Sequence, residues 1–136
     1  MVKKSIKNTY TYAVGRRKSA VATIKLFEGK GDLEVNTLPA YKYFPTPTQK
    51  VLCEKPFIVT KTEGKYHFKA KISGGGKNGQ LEALVLAISR ALQKIDTTFT
   101  STLRANDLLT VDFRVRERRM VGTGGKARRQ KQSPKR

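Results

Sequence analysis

Between residues 73 and 95 the chain reads SGGGKNGQLEALVLAISRALQKI, and this stretch limits the fold more than any other. Leu81, Leu84, Val85, Ile88, Ala91, Leu92 and Ile95 recur at the three- and four-residue intervals of a helix, so one broad apolar stripe runs down a long helical face. Asn78 is the expected N-cap. Glu82 stands in the first turns and Arg90 and Lys94 in the last, each charge complementing the helix dipole. A stripe this wide needs a surface to cover, and most other apolar residues fall in short β-like runs. The helix is therefore expected to lie on a sheet.

Three glycines precede it, which raises the question of a phosphate loop. That motif requires glycine, four residues, then Gly-Lys-Ser/Thr, because the hydroxyl holds a magnesium ion. Here Gly76-Lys77 is followed by Asn78, and Lys71 stands five residues before Gly76, so the motif fails at both ends. Two readings remain. The glycines form a turn that passes a strand into a helix, with another backbone close by, and the N–H groups of residues 75–79 beside Lys77 suit a phosphate, including one in an RNA backbone.

The rest of the chain reads mainly as strands. Residues 9–14 have strand composition and are expected to stop at Gly15; Arg16-Arg17-Lys18-Ser19 makes a compact basic turn; residues 20–27 alternate Ala22, Ile24 and Leu26 against Thr23 and Lys25. A hairpin connection over 28–32 is expected to return the chain along 33–36. Residues 38–44 suit one helical turn with Tyr41 and Phe44 inward. Thr46 and Pro47 open a short helix that Pro56 is expected to end, with residues 57–60 extended. Tyr66, Phe68, Ala70 and Ile72 alternate with His67, Lys69 and Lys71, which gives a strand with one buried and one basic face. After the long helix, Asp96-Thr97-Thr98 caps a second helix to about Arg104, and residues 109–115 alternate as a last strand. The pattern predicts a two-layer α+β domain, a four- to five-stranded sheet with helices mainly on one face.

Charge divides the 136 residues into three parts. The formal net charge is +19, of which residues 1–19 carry +6, residues 20–113 carry +4 and residues 114–136 carry +9. Residues 1–8 are expected to be a flexible basic lead, 9–116 the globular RNA-binding body, and 117–136 an extended basic tail with too few apolar residues to pack alone. Fully drawn out, that tail reaches about 65 Å. Seven of the eleven arginines lie from Arg114 onward: Arg114, Arg116, Arg118, Arg119, Arg128, Arg129 and Arg136. Guanidinium groups grip phosphates bidentately, so these arginines point to close contact with a polyanion, with lysines on the body adding looser attraction. The basic segments are loops and tails and not a helix for a major groove, which favours RNA over DNA and over an acidic membrane.

Catalysis finds little support. His67 is the one histidine and Cys53 the one cysteine, so no disulfide framework or thiolate metal cluster is available, and a buried thiol and a solvated ring are expected. No believable carboxylate pair recurs; Asp107 and Asp112 read as counter-charges for arginine. There is no apolar run of eighteen residues and no secretory h-region after MVKKSIKN. No cofactor, small-molecule substrate or membrane partner is expected.

Several segments then resemble, in order and spacing, the universal small-subunit ribosomal protein nine family, in its bacterial and organellar type. They are Gly15-Arg16-Arg17-Lys18-Ser19-Ala20, Gly74-Gly75-Gly76-Lys77-Asn78-Gly79-Gln80, Ile88-Ser89-Arg90-Ala91-Leu92, Leu103-Arg104, Asp112 with Arg114, Glu117-Arg118-Arg119, Lys126-Ala127-Arg128-Arg129 and Lys135-Arg136. The resemblance implies a left-handed βαβ crossover, shared with the second domain of ribosomal protein five and with the protein subunit of ribonuclease P. It implies a place in the head of the small subunit, on the 3′ domain of its ribosomal RNA and beside neighbouring ribosomal proteins, in a bacterial cytoplasm or plastid stroma. Carried over, Arg16, Arg17 and Lys18 hold ribosomal RNA from the body, Lys126, Arg128 and Arg129 anchor the tail in it, and Lys135 and Arg136 reach the anticodon stem-loop of peptidyl-site transfer RNA. Two departures stand out. Gln132-Ser133-Pro134 lacks the aromatic usual before the final Lys-Arg, and Gly124-Gly125 replaces a usual basic residue with one residue inserted. The alternative of a ribonuclease P subunit shares the crossover but has no arginine-rich tail of this kind.

Overall fold

The structure, a computed structural model, describes residues 9–121. In chain order these form β1 (Tyr10–Arg17), β2 (Ala20–Glu28), β3 (Glu34–Val35), β4 (Leu38–Pro39), α1 (Ala40–Tyr43), α2 (Pro47–Val59), β5 (Tyr66–Ser73), α3 (Lys77–Ile95) and α4 (Phe99–Ala105). The strands make one mixed sheet in the order β1-β2-β5-β3-β4. All neighbours are antiparallel except β3 and β5, whose parallel pairing makes β4, α1 and α2 the crossover connection between them. The α+β architecture expected from the sequence is the one observed.

Helix α3 lies along β1 and β2, while α2 and α4 pack on α3. Ala22, Ile24, Leu26, Phe68, Ala70 and Ile72 face this layer and are buried. The buried surface of α3 is wider than the apolar stripe, because Ala83, Leu86 and Ala87 are buried as well as Leu81, Leu84, Ile88, Ala91 and Leu92. A helix between a sheet and other helices is enclosed on more than one side, so small residues off the stripe are covered too.

Gly15 does not stop the first strand, which runs on to Arg17. A Cβ at Gly15 would stand 2.0 Å from the carbonyl oxygen of Ala83 and 2.7 Å from the Ala87 nitrogen, so glycine lets the α3 backbone approach β1 directly. Further along the same pair of elements, Arg90 donates to the carbonyl of Val14 at 2.8 Å and Lys94 to that of Tyr12 at 2.7 Å. Two basic residues placed by sequence for the helix dipole thus also tie the helix to the edge strand.

Four further expectations are corrected. The hairpin after β2 does not form: residues 28–32 carry the chain away, and β5 takes the place beside β2 while β3 pairs on the far side of β5. Eight residue pairs align Ala22, Ile24 and Leu26 with Ile72, Ala70 and Phe68, a match that two-residue β3 cannot offer. Pro56 does not end α2, which continues through residues 57–59. Its ring and Phe57 are buried, and Phe57 lies parallel to Phe68 at 6.4 Å between centroids. Burial of such side chains, about 2 kcal/mol each, offsets an internal proline's cost of about 3 kcal/mol. Phe44 turns inward, but Tyr41 is 58 % exposed. Residues 109–115 have no strand partner among the described residues, and Phe113 is 83 % exposed.

Candidate nucleic-acid interface

The basic turn and the glycine segment meet at one end of the sheet. Arg17 pairs with Ala20, so Lys18 and Ser19 form a two-residue turn, with Lys18 at φ +53°. Gly74 and Gly75 have φ of +74° and +64°, and a Cβ on Gly74 would lie 2.4 Å from the carbonyl oxygen of Ser19. The close backbone that the glycines anticipate is therefore the β1–β2 turn. Helix α3 begins at Lys77, with Gly76 and not Asn78 as its N-cap, so its first N–H groups open beside that turn. A cavity of about 300 Å³ there is lined by Lys18, Ser19, Gly75, Gly76, Lys77, Asn78 and Gly79. Two lysines and a helix N-terminus suit an anionic oxygen.

Lys77 is positioned by an aromatic. Its ammonium lies 3.5 Å from the centroid of the Tyr43 ring and donates to the Tyr43 carbonyl at 3.4 Å. The Tyr43 hydroxyl donates to Gln80 Oε1 at 2.8 Å, and Gln80 Nε2 donates to the Gly74 carbonyl at 3.0 Å. Helix α1, the glycine turn and the start of α3 are thereby joined. Sequence reading missed Tyr43, whose residue type carries no sign of which cation it will meet.

Arg17, expected beside Arg16 and Lys18 on RNA, is turned inward, its side chain only 12 % exposed. It donates to Glu82 on α3, pairs with Asp112 at 3.0 Å and donates to the carbonyl of Arg114 at 3.0 Å. Arg114 in turn holds Asp112 through its guanidinium at 2.7 to 3.1 Å and its backbone N–H at 3.0 Å. Asp112 thus serves as the arginine counter-charge read from sequence; for Asp107 no such pairing is found among the described residues. Arg17 is a clamp that sets residues 112–114 beside the hairpin. The side-chain and backbone hydrogen bonds of Arg114, with the charges of Arg114 and Arg17 adding, hold the Asp112 carboxyl well below the usual carboxylate range. A carboxylate whose folded-state pKa is depressed contributes its stability above its unfolded pKa, about 3.9, and loses it only as the pH falls below that.

Replacing Arg17 with methionine removes donors worth about 1.5 kcal/mol, which corresponds to roughly tenfold more frequent opening of the segment. The Arg114 amide is expected to exchange its hydrogen that much faster at neutral pH, and acidification of the native protein to pH 5 is expected to have no such effect. Unchanged Arg114 exchange in the variant would show that the clamp does not hold the segment.

Arg16, Lys18, Lys77, Arg114, Arg116, Arg118 and Arg119 are exposed. Lys126, Arg128, Arg129, Lys135 and Arg136 lie outside the described residues. Cys53 is buried in α2, and burial first, then Glu54, pushes its thiol up to about 12, which keeps it protonated and inert. His67 is half-buried on the opposite face of the sheet, where its Nδ1 donates to the Gly29 carbonyl at 3.0 Å, so these two do not form a catalytic pair. No group of three or more metal-ligating side chains occurs among the described residues.

Residues 15–136 match the sequence model of a family described as ribosomal protein S9/S16. A small ribosomal subunit protein uS9 of Maridesulfovibrio salexigens is 44 % identical over 116 residues, covering 85 % of this chain and 89 % of the relative. A uS9 protein of Dehalococcoides mccartyi is 42 % identical over 116 residues, covering 85 % and 88 %. One of Methylacidiphilum infernorum is 42 % identical over 122 residues, covering 90 % of each chain. The exposed basic turn, the glycine-built start of α3 and the arginine segment clamped beside them are thus carried on a chain that belongs to the ribosomal protein S9/S16 family, a family of small-ribosomal-subunit structural proteins and not of enzymes.

Proposed function

We propose that this chain binds the 3′ domain of small-subunit ribosomal RNA in the subunit head, among neighbouring ribosomal proteins, and that its tail touches transfer RNA in the peptidyl site. Arg16, Lys18 and Lys77 meet RNA phosphates at the turn, and Arg114, Arg116, Arg118 and Arg119 meet them along the clamped segment. Arg17 takes part by setting the direction in which that segment leaves the body. Residues 117–136 then run through RNA, anchored by Lys126, Arg128 and Arg129, and Lys135 and Arg136 reach the anticodon stem-loop. The observation that carries the reading is the charge division, with +9 on residues 114–136 against +4 on the ninety-four residues before them, in a chain of this family. A body of ordinary charge needs no such extension unless a polyanion receives it.

The test is a small subunit assembled with Arg136→Ala. Loss of one terminal phosphate contact is expected to speed transfer-RNA dissociation from the peptidyl site roughly fivefold, about 1 kcal/mol, while subunit assembly proceeds normally. Unchanged dissociation would remove Arg136 from the transfer-RNA contact. Chemical footprinting of the same subunits checks the ribosomal-RNA part: protections confined to regions outside the 3′ domain would contradict it.

A further inference from the structure

The face of the sheet turned away from the helices is neither apolar nor plainly hydrophilic. Strand register sets its residues in rows. Tyr10, Phe27 and His67 stand in one row across β1, β2 and β5, and Tyr12, Lys25 and Lys69 stand in the next. Val14, Thr23 and Lys71 follow, then Arg16, Val21 and Ser73. The aromatic row is ordered: Tyr10 and Phe27 are 5.7 Å apart between centroids, and Phe27 and His67 are 5.2 Å apart with planes 12° from parallel. Lys25 holds its ammonium 5.0 Å from the Tyr10 centroid. Tyr10 is 45 % and Tyr12 48 % exposed, so both side chains are partly open to solvent beside Lys25. The carboxylate in these rows is Glu34, on β3, and it pairs with Lys69 at 3.2 Å. Lys25, Lys71 and Arg16 therefore leave this face net positive.

We infer that this open face is a second RNA-contacting surface, on which unpaired bases stack against Tyr10 and Tyr12 while Lys25, Lys71 and Arg16 take the adjoining phosphates. Three observations favour this occupant. Aromatic rings on an open sheet offer what splayed bases require, and stacking of this kind tolerates any base. Cations adjoin the rings, Lys25 over Tyr10 and in the row of Tyr12, with Lys71 and Arg16 in the rows beyond. This matches a strand whose bases and phosphates are distinct, whereas a protein partner of ordinary composition would leave three basic side chains to be neutralised. A paired helix shows its phosphates and not its base faces, so it cannot use the tyrosines. This inference rests on the reading of the chain as an RNA-binding protein, but it concerns the face of the sheet turned away from the helices.

The test uses the full-length protein with three probes: an octauridylate, a short RNA duplex and inorganic polyphosphate. The octauridylate is expected to move the ring proton signals of Tyr10 and Tyr12 upfield and to quench tyrosine emission, which is readable because the chain has no tryptophan. Polyphosphate, which has charge but no bases, is expected to leave those rings unshifted. Tyr12→Ala should weaken octauridylate binding roughly fivefold to a hundredfold, with duplex affinity unchanged, and Tyr12→Phe should restore it. RNA binding that leaves both tyrosine rings and the Tyr12→Ala affinity unaltered overturns the open-face surface and leaves the proposed function standing. An absence of binding to all RNA probes would overturn both.

Discussion

Gly15→Ala is expected to destabilise the protein by about 3 kcal/mol or more and to lower its melting temperature by roughly 12 °C or more, although it adds one methyl group. The added carbon would fall 2.0 Å from the Ala83 carbonyl oxygen and 2.7 Å from the Ala87 nitrogen. Both obstacles are backbone atoms in the middle of α3, so no side chain can rotate aside; strand and helix must separate. Separation also lengthens the contacts of Arg90 with Val14 and Lys94 with Tyr12, and it loosens a core that holds Leu84 and Ile88 against the sheet. Gly76→Ser is the matched control. Nothing lies within 4 Å of a Cβ there, φ is −100°, and serine is at least as good an N-cap as glycine, so stability should stay within a few tenths of a kcal/mol. Thermal unfolding of both variants decides the matter. A Gly15→Ala melting temperature within a few degrees of the parent would mean that the close approach of α3 to β1 is not as described.

Removing residues 122–136 is expected to produce the largest change in RNA affinity. The deletion takes six lysines and arginines and no acidic residue, while the body and its clamped segment remain. If each cation lies on one phosphate, the slope of log K against log salt becomes shallower by roughly four to five, since each phosphate contact contributes about 0.7 on single strands and 0.9 on duplex. Affinity for small-subunit RNA near physiological salt should fall by roughly a hundredfold or more, and far less at low salt. A melting temperature equal to that of the full chain would show that the loss is one of contacts and not of folding. Binding titrations over a range of salt give the slope directly. A slope that changes by less than one unit on truncation would mean that the tail does not lie along phosphates.

Much of this structure was legible in residue order, and the misreadings share a cause. The direction of a side chain along a helix or strand follows from local geometry, so the stripe of α3 and the alternation of β2 and β5 could be read without knowing their neighbours. The turn into α4 was partly local: Asp96 Oδ1 accepts from the Thr98 N–H at 2.9 Å, but Thr98 is the N-cap of α4 and makes no side-chain capping hydrogen bond. Pro56 misled because its penalty is local and its compensation, the burial of Phe57 against Phe68, lies in another element. Residues 109–115 misled because alternation describes a strand's side chains, while a strand requires a partner's backbone groups; here a side chain, Arg17, reaches the segment instead. The candidate site divided along the same line. Which residues are basic was evident at once. That Arg17 turns inward as a clamp, that Lys77 rests on Tyr43, and that Tyr10 and Tyr12 share an open face with Lys25 and Lys71 all depend on contacts between residues far apart in the chain.

Order along the chain alone determined a long amphipathic helix over short strands, the concentration of positive charge at the ends, and the ordered segments by which the chain resembles its family. Tertiary structure alone decided that β5 stands between β2 and β3, that Gly15 belongs to a helix–strand contact and not to a turn, and which arginine is spent on holding the fold. The physical reason is range. Periodicity and charge are properties of a few consecutive residues, whereas strand order and close backbone approach are settled by which distant surfaces fit with the most apolar area buried and the fewest unpaired polar groups.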